Sequence, residues 1–153
     1  MAHSFYYKKT KKSLLHGSEY IESMSYYIAK TVNLPFAEAL MQVTEELKNE
    51  GFGILTEIDV QATLKTKLGV DFRNYRILGA CNPPFAYQAL LAERMIGAML
   101  PCNVIVQEAD GGGTEVAAID PAVSMQVVGN PALTGVAEQV RAKLRRVVDR
   151  VGS

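Results

Sequence analysis

The sequence predicts an α+β fold, a two-layer α/β sandwich with helices on one face of a mainly antiparallel five-stranded sheet. Two patterns predict it. Helix-like segments carry apolar residues on one dominant face, and strand-like segments alternate apolar with polar residues, which is typical of a sheet covered on one side. The predicted elements follow the order β-α-β-β-α-β-β-α, without an internal repeat or a low-complexity segment.

The elements can be placed from their apolar periods and their punctuating residues. In the first half these are a strand at Tyr26–Val32, a helix from Asn33-Leu34-Pro35 to Gly51, a strand at Phe52–Gln61, a helical turn at Ala62–Leu68 and a strand at Tyr75–Ala80. In the second half they are a helix opened by Asn82-Pro83, strands at Asn103–Glu108 and Thr114–Ile119, and a last helix opened by Asn130-Pro131.

Asparagine before proline predicts a helix start, because the amide caps free N–H groups and proline tolerates the first helical position. The segment Asp110-Gly111-Gly112-Gly113 lies between two strands, which favours a hairpin turn over a phosphate-binding loop. On the last helix, valine and leucine face inward. Its basic residues, expected on a largely outward face, are Arg141, Lys143, Arg145, Arg146 and Arg150.

By length the chain is one domain. We expect residues 1–23 to be a flexible extension or leader and residues 24–153 to be the domain, because the lysine-rich start has no sustained apolar period. That start carries four lysines and two glutamates, a charge of +2, which leaves −2 on the remainder. A slightly acidic domain argues against nucleic acid as a main partner.

Neither a membrane nor an oxidising compartment is indicated. No apolar run reaches the roughly 18 residues that a membrane span needs. Two cysteines without a secretory signal predict a cytoplasmic location.

Histidine is absent from the predicted domain, since His3 and His16 both lie in the extension. A Ser-His-Asp triad, a Cys-His pair or a histidine-rich zinc site therefore cannot be assembled from residues 24–153 alone.

Four motifs, in the right order, resemble the domain-of-unknown-function 302 family. They are residues 51–60 (GFGILTEIDV), Lys67-Leu68-Gly69, residues 77–83 (ILGACNP) and residues 100–104 (LPCNV). The resemblance runs from about Met24 to the C-terminal helix. It implies a small, cytosolic, homodimeric α/β protein of prokaryotic type. It implies no established activity, so the cofactor stays unknown.

The main candidate site comprises the two cysteines, each followed by an asparagine. Cys81 and Asn82 precede a helix, whose positive N-terminal end favours a thiolate or a bound anion. Burial as a small core residue is the alternative for Cys81 and the preferred interpretation of Cys102, which Asn103 follows. The connection of about twenty residues between their strands favours a parallel crossover, which would hold the thiols about 20 Å apart. An antiparallel pair would bring them to one edge.

A second candidate is the carboxylate pair Glu57 and Asp59. Two residues apart on a strand, they project to one face, which we expect to be shared with Gly53 and Leu55 and to lie away from the helices. Paired carboxylates bind Mg²⁺ or Ca²⁺ or divide acid and base roles. Lys67 follows and would neutralise them or bind an anion. A solvated, salt-bridged face is the alternative, and the uncovered face suits a dimer contact or a ligand cleft.

Two functional hypotheses follow. The first is a homodimeric binding or sensory module that holds a small anionic or metal ligand in a cleft. The residues expected near that cleft are Cys81, Asn82, Glu57 and Asp59. The second is a thiol-dependent enzyme or redox protein with Cys81 as nucleophile, assisted by Lys67 or Tyr75. The lack of histidine and of a complete catalytic motif favours binding. Neither the ligand nor a metal is named by the sequence.

Overall fold

A sheet of five strands forms the centre of the computed structural model, which describes residues 25–153. The strands are β1 (Tyr27–Val32), β2 (Gly53–Asp59), β3 (Tyr75–Cys81), β4 (Cys102–Glu108) and β5 (Thr114–Ile119), in the spatial order β1-β5-β4-β3-β2. The helices are α1 (Phe36–Asn49), α2 (Val60–Leu68), α3 (Pro83–Ala92), α4 (Pro121–Ser124) and α5 (Thr134–Arg150). Short 3₁₀ helices span Ile96–Met99, Met125–Val128 and Pro131–Leu133.

All four strand pairings in this described part are antiparallel, and the predicted α+β sandwich is confirmed. The predicted extension, with His3 and His16, lies outside the described residues.

The strand expected to reach Gln61 ends at Asp59, because the Asp59 carboxylate accepts a hydrogen bond from the Ala62 N–H at 2.9 Å and caps α2. The one-turn helix α4 was not predicted.

Helices α1 and α5 cover one face of the sheet. On α1 the buried residues Ala39, Val43 and Leu47 recur every four positions, which places them on one side of the helix. From α5, Leu144 and Val147 reach the same core without exposed surface. Complete burial of a valine or leucine side chain stabilises the fold by about 1.5–3 kcal/mol. The strands contribute Leu78, Val104, Val106, Val116 and Ala118.

The expected parallel arrangement of the two cysteine-bearing strands is wrong. Strands β3 and β4 are antiparallel neighbours, and Ala80 is paired with Cys102. After α3 the chain turns through the 3₁₀ helix at Ile96–Met99 and returns to the end of the sheet that it left. The length of residues 82–101 therefore reflects two helices packed at one end, and Cys81 and Cys102 lie at that same end.

A β-bulge in β2 changes which face its side chains share. Gly53 is paired with Cys81 and Ile54 with Ala80, but Thr56 is paired with Gly79, so Leu55 has no partner in the ladder. The alternation of faces shifts by one residue at such a bulge. The predicted common face of Gly53, Leu55 and Glu57 is therefore wrong. Glu57, paired with the buried Leu78, lies on the face that carries the helices.

The opposite face of the sheet carries an apolar row that crosses all five strands. Ile58, Ile77, Ile105, Ala117 and Ala29 are paired in succession. They alternate with the core residues and hence point away from α1 and α5. Ile58, on edge strand β2, is 47% exposed.

Candidate functional site

A cavity of about 370 Å³ lies where β3 and β4 meet α3 and α5. Among the described residues, no charged side chain lines it. The lining side chains that carry a nitrogen, oxygen or sulfur atom are those of Cys81, Asn82, Cys102 and Met125. Its apolar walls are formed mainly by Phe52, Leu55, Phe85, Leu90, Leu100, Val136, Val140 and several alanines.

Both cysteines contribute to the wall of this cavity. Cys102 stands opposite Ala80, next to Cys81, and both cysteines are free. Cys102 is buried, whereas Cys81 is half-buried. Burial raises the pKa of the Cys102 thiol to about 11, and the nearby Cys81 contributes in the same direction. At neutral pH Cys102 is therefore a protonated, weakly polar wall group rather than a nucleophile.

Asn82 does not cap α3 as predicted. Its buried side-chain Nδ2 donates to the main-chain oxygen of Glu50 at 3.2 Å, and its side chain makes no capping hydrogen bond. The first two residues of α3 are Pro83 and Pro84, which have no N–H to donate. The start of this helix thus lacks two of the donors that hold an anion at other helix N-termini. Because Pro84 follows Pro83 in the sequence, the loss of these donors could have been predicted from the sequence.

Sequence reasoning missed Glu50, which is the most heavily paired carboxylate of the described residues. Arg146 holds it with two hydrogen bonds, from Nε and Nη2, each of 2.9 Å. Arg150 Nη1 donates to Oε1 at 3.0 Å, and Lys143 Nζ lies 3.6 Å from Oε2. The hydrogen bond from Arg146 lowers the Glu50 pKa against the opposing effect of burial, and the three positive charges lower it further.

This cluster corrects the interpretation of the last helix as a solvated basic face. Lys143, Arg146 and Arg150 turn toward the end of α1, and the Glu50 carbonyl links the cluster to Asn82. Their spacing of three and four residues was a usable signal for a common side of the helix. It did not reveal which carboxylate would meet them.

Glu57 and Asp59 lie at the other end of the β2–β3 pair. Arg76 stands between them, with Nε 3.2 Å from Glu57 Oε1 and Nη1 2.9 Å from Asp59 Oδ2. Asp59 is paired with Arg76 and Gly53 with Cys81, so about 17 Å of strand separates the carboxylates from the thiols. The structure therefore brings Glu57 and Asp59 together but not with Cys81 and Asn82.

Two further predicted site residues lie outside the cavity wall. Lys67 belongs to the last turn of α2, which follows the carboxylate end of β2. Asn103 is exposed and is paired with Gly79, on the sheet face opposite the core. Tyr75, proposed as a helper of Cys81, begins β3 at the end remote from Cys81. Burial raises its pKa.

Within residues 25–153 no group of three or more histidine, cysteine, aspartate or glutamate side chains is arranged to hold a metal ion. None of the helices described has the length and apolarity needed to cross a membrane.

Comparison with known proteins places the chain in a family. Residues 28–151 match the family described as Domain of unknown function DUF302. The fold is similar to the crystal structure of an uncharacterised conserved DUF302 protein from Bacillus stearothermophilus, with a TM-score of 0.77 and 30% identity over 82% of this chain and 98% of that one. No curated protein matches the chain. The family match and this structural similarity together show that the chain belongs to the DUF302 family.

Proposed function

We propose that this protein is a binding or sensory module for a small, neutral, apolar molecule, which occupies the cavity beside Cys81 and Asn82. The observation that carries the proposal is the composition of the cavity wall. About 370 Å³ is bounded by apolar side chains and two thiols, and residues 25–153 place no charged group in this wall. That volume lies at the lower end of the ~300–1,000 Å³ found for small-molecule sites.

The wall argues for a neutral ligand rather than the anion or metal expected from the sequence. A charged group that leaves water for such a site costs several kcal/mol unless it is paired. The described part of the chain places no cation in the cavity wall for an anion, and Pro83 and Pro84 remove donors from the start of α3. Apolar surface, in contrast, gains about 25 cal/mol for each Å² removed from water.

The polar residues of the wall have an orienting role in this proposal. Asn82 is held in place by its hydrogen bond to the Glu50 carbonyl, and the ion cluster of α5 fixes Glu50 in turn. Cysteine behaves as a small, polarisable apolar group toward a ligand. The alternative of a Cys81-dependent enzyme is not part of the proposal, because Lys67 and Tyr75 lie away from the thiol.

The test uses two dyes that share an aromatic framework and differ in charge. Neutral phenylnaphthylamine should bind saturably, with one site for each chain, and anilinonaphthalene sulfonate should bind at least about tenfold more weakly, a difference of about 1.4 kcal/mol. Ala86 lines the cavity from α3, so Ala86→Phe should fill it and weaken binding of the neutral dye by tenfold or more.

The matched control is Ala92→Phe, on the same helix but outside the cavity wall. It adds the same ring and should leave dye binding unchanged. Equal loss in both variants, or preferential binding of the sulfonate by the native protein, would contradict the proposal. The proposal would also be contradicted if the native protein bound neither dye saturably.

A further inference from the structure

The surface around α3 is apolar where a soluble protein normally carries polar groups. Tyr87 is 65% exposed, Leu91 71% and Met95 72%, and Leu90, Met99 and Leu55 are also exposed. We call these six residues the α3 surface. Tyr87, Leu90 and Leu91 are three and four positions apart, so they form one continuous side of the helix.

The composition of α3 leaves no polar side for solvent. None of its ten residues is charged, and Gln88 is its one amide side chain. A helix on the surface of a single chain in water typically turns charged residues outward. An exposed helix that is apolar on its outer side indicates a contact with another molecule.

We infer that the α3 surface is the interface with a second copy of this chain. From the exposed fractions, its six side chains offer roughly 700 Å², close to the ~800 Å² that each partner contributes to a standard interface. The net charge of the chain is zero, so two copies do not repel one another through their overall charge.

A lipid surface fits this region less well than a second copy. Interfacial helices carry lysine and arginine along a polar side, which bind anionic headgroups. Between residues 83 and 101 the only charged residues are Glu93 and Arg94. Their charges cancel, so this segment has no excess of positive charge to offer.

The second copy would also cover the mouth of the cavity. Leu55 and Leu90 belong both to the α3 surface and to the cavity wall. This step rests on the proposed function, and it makes ligand binding and dimer formation mutually favourable. The cavity is then fully enclosed only in the dimer.

Sedimentation equilibrium of the full chain over a concentration series tests the interface. The native protein should be a dimer, and Leu91→Lys or Met95→Lys should weaken the dimer by about 30-fold or more, the effect of losing one central contact. Both residues are highly exposed and neither lines the cavity, so the monomer should fold normally, which circular dichroism checks.

Ile58→Lys is the matched control, because it puts the same charge on an exposed isoleucine of the opposite sheet face. It should leave the dimer intact. A monomeric native protein would overturn the inference. The inference would also be overturned if Ile58→Lys dissociated the dimer and Leu91→Lys did not, or if both substitutions dissociated it equally.

Dye titration of the same samples separates this inference from the proposed function. Monomeric Leu91→Lys should still bind phenylnaphthylamine, with a lower affinity than the dimer. Saturable binding by a monomeric native protein would overturn the interface and leave the proposed function standing. If the native protein is a dimer that Leu91→Lys dissociates, but it binds no dye, the interface stands and the proposed function is overturned.

Discussion

Two glutamates at opposite ends of the β2–β3 pair meet arginine in very different surroundings. Glu50, near the cavity, is 8% exposed and is held by Lys143, Arg146 and Arg150. Glu57 is 52% exposed and meets Arg76 through one contact of 3.2 Å. We call these regions the cavity end and the carboxylate end of the sheet.

The comparison shows that spacing along a strand is a poor guide to which carboxylate contributes most to the stability of the fold. Glu57 and Asp59 drew attention because alternate residues share a face. Both carboxylates are more than a third exposed, although Arg76 is not, and an ion pair with so exposed a partner contributes about 0–1 kcal/mol. Glu50 lies at a helix end without any local pattern. Burial and three converging cations make it the stronger structural element.

The largest expected effect is that of Glu50→Gln at the cavity end. The amide keeps the shape but loses the charge that three cations share. We expect the free energy of unfolding to fall by about 3 kcal/mol, near the upper limit of the ~1.5–3 kcal/mol for a hydrogen bond to a charged group, because the carboxylate is buried while Arg146 and Arg150 are about half exposed. Urea denaturation at neutral pH measures it.

The pH dependence gives an internal check on Glu50. Its pKa is lowered in the folded protein, so its contribution is complete above the unfolded pKa of about 4.3 and is lost as pH falls through the folded value. The difference between native protein and Glu50→Gln should therefore shrink in acid. A difference that stays constant down to about pH 3 would contradict the assigned role of the charge.

The second prediction concerns Cys102, whose thiol is buried at the cavity end. Its pKa is raised to about 11, so between the ordinary value of 9.0 and that pH the unfolded chain loses the proton first. Stability should consequently fall as pH rises through this window, by about 2–3 kcal/mol in total at 1.36 kcal/mol per pKa unit. Denaturation series between about pH 8 and pH 11 measure the slope.

Cys102→Ala isolates that slope, because tyrosines and lysines titrate equally in both proteins. The variant is less stable at neutral pH, since it leaves a small void. Its deficit should narrow as pH rises, because only the native protein loses the Cys102 contribution. A deficit that does not change with pH would show that the thiol is accessible to water.

Much of the fold was predictable from local patterns. Alternation and helical spacing placed all five strands and the three longest helices, because each element buries one face against the same core. The cap at Asn130 was also readable, and its side chain accepts from the Ala132 N–H at 3.0 Å. These features depend on neighbours in sequence, so the sequence displays them directly.

The candidate site depends on pairings that no local pattern contains. One extra residue at Leu55 moved Glu57 to the helix-covered face, and nothing at that position marks a bulge. The neighbourhood of Cys81 and Cys102 follows from the direction of β4, which the length of residues 82–101 did not determine. Cys81 and Asn82 do line the cavity, but its apolar wall comes from segments distant in sequence.

The smallest effects are expected at the carboxylate end, from Glu57→Gln and Asp59→Asn. Each should lower the free energy of unfolding by about 1 kcal/mol or less, because both carboxylates are more than a third exposed, Arg76 keeps the other carboxylate as its partner, and asparagine still caps α2. Urea denaturation beside Glu50→Gln provides the comparison at equal ionic strength.

The melting temperature in the presence of Mg²⁺ or Ca²⁺ tests whether the carboxylate end binds a cation. Arg76 already pairs with both carboxylates, and three acidic or thiol groups do not converge in the described residues, so the melting temperature should stay the same with either cation. A rise that Glu57→Gln or Asp59→Asn abolishes would instead reveal a cation site. The carboxylate end would then be the binding region, and the contrast with the cavity end would be reversed.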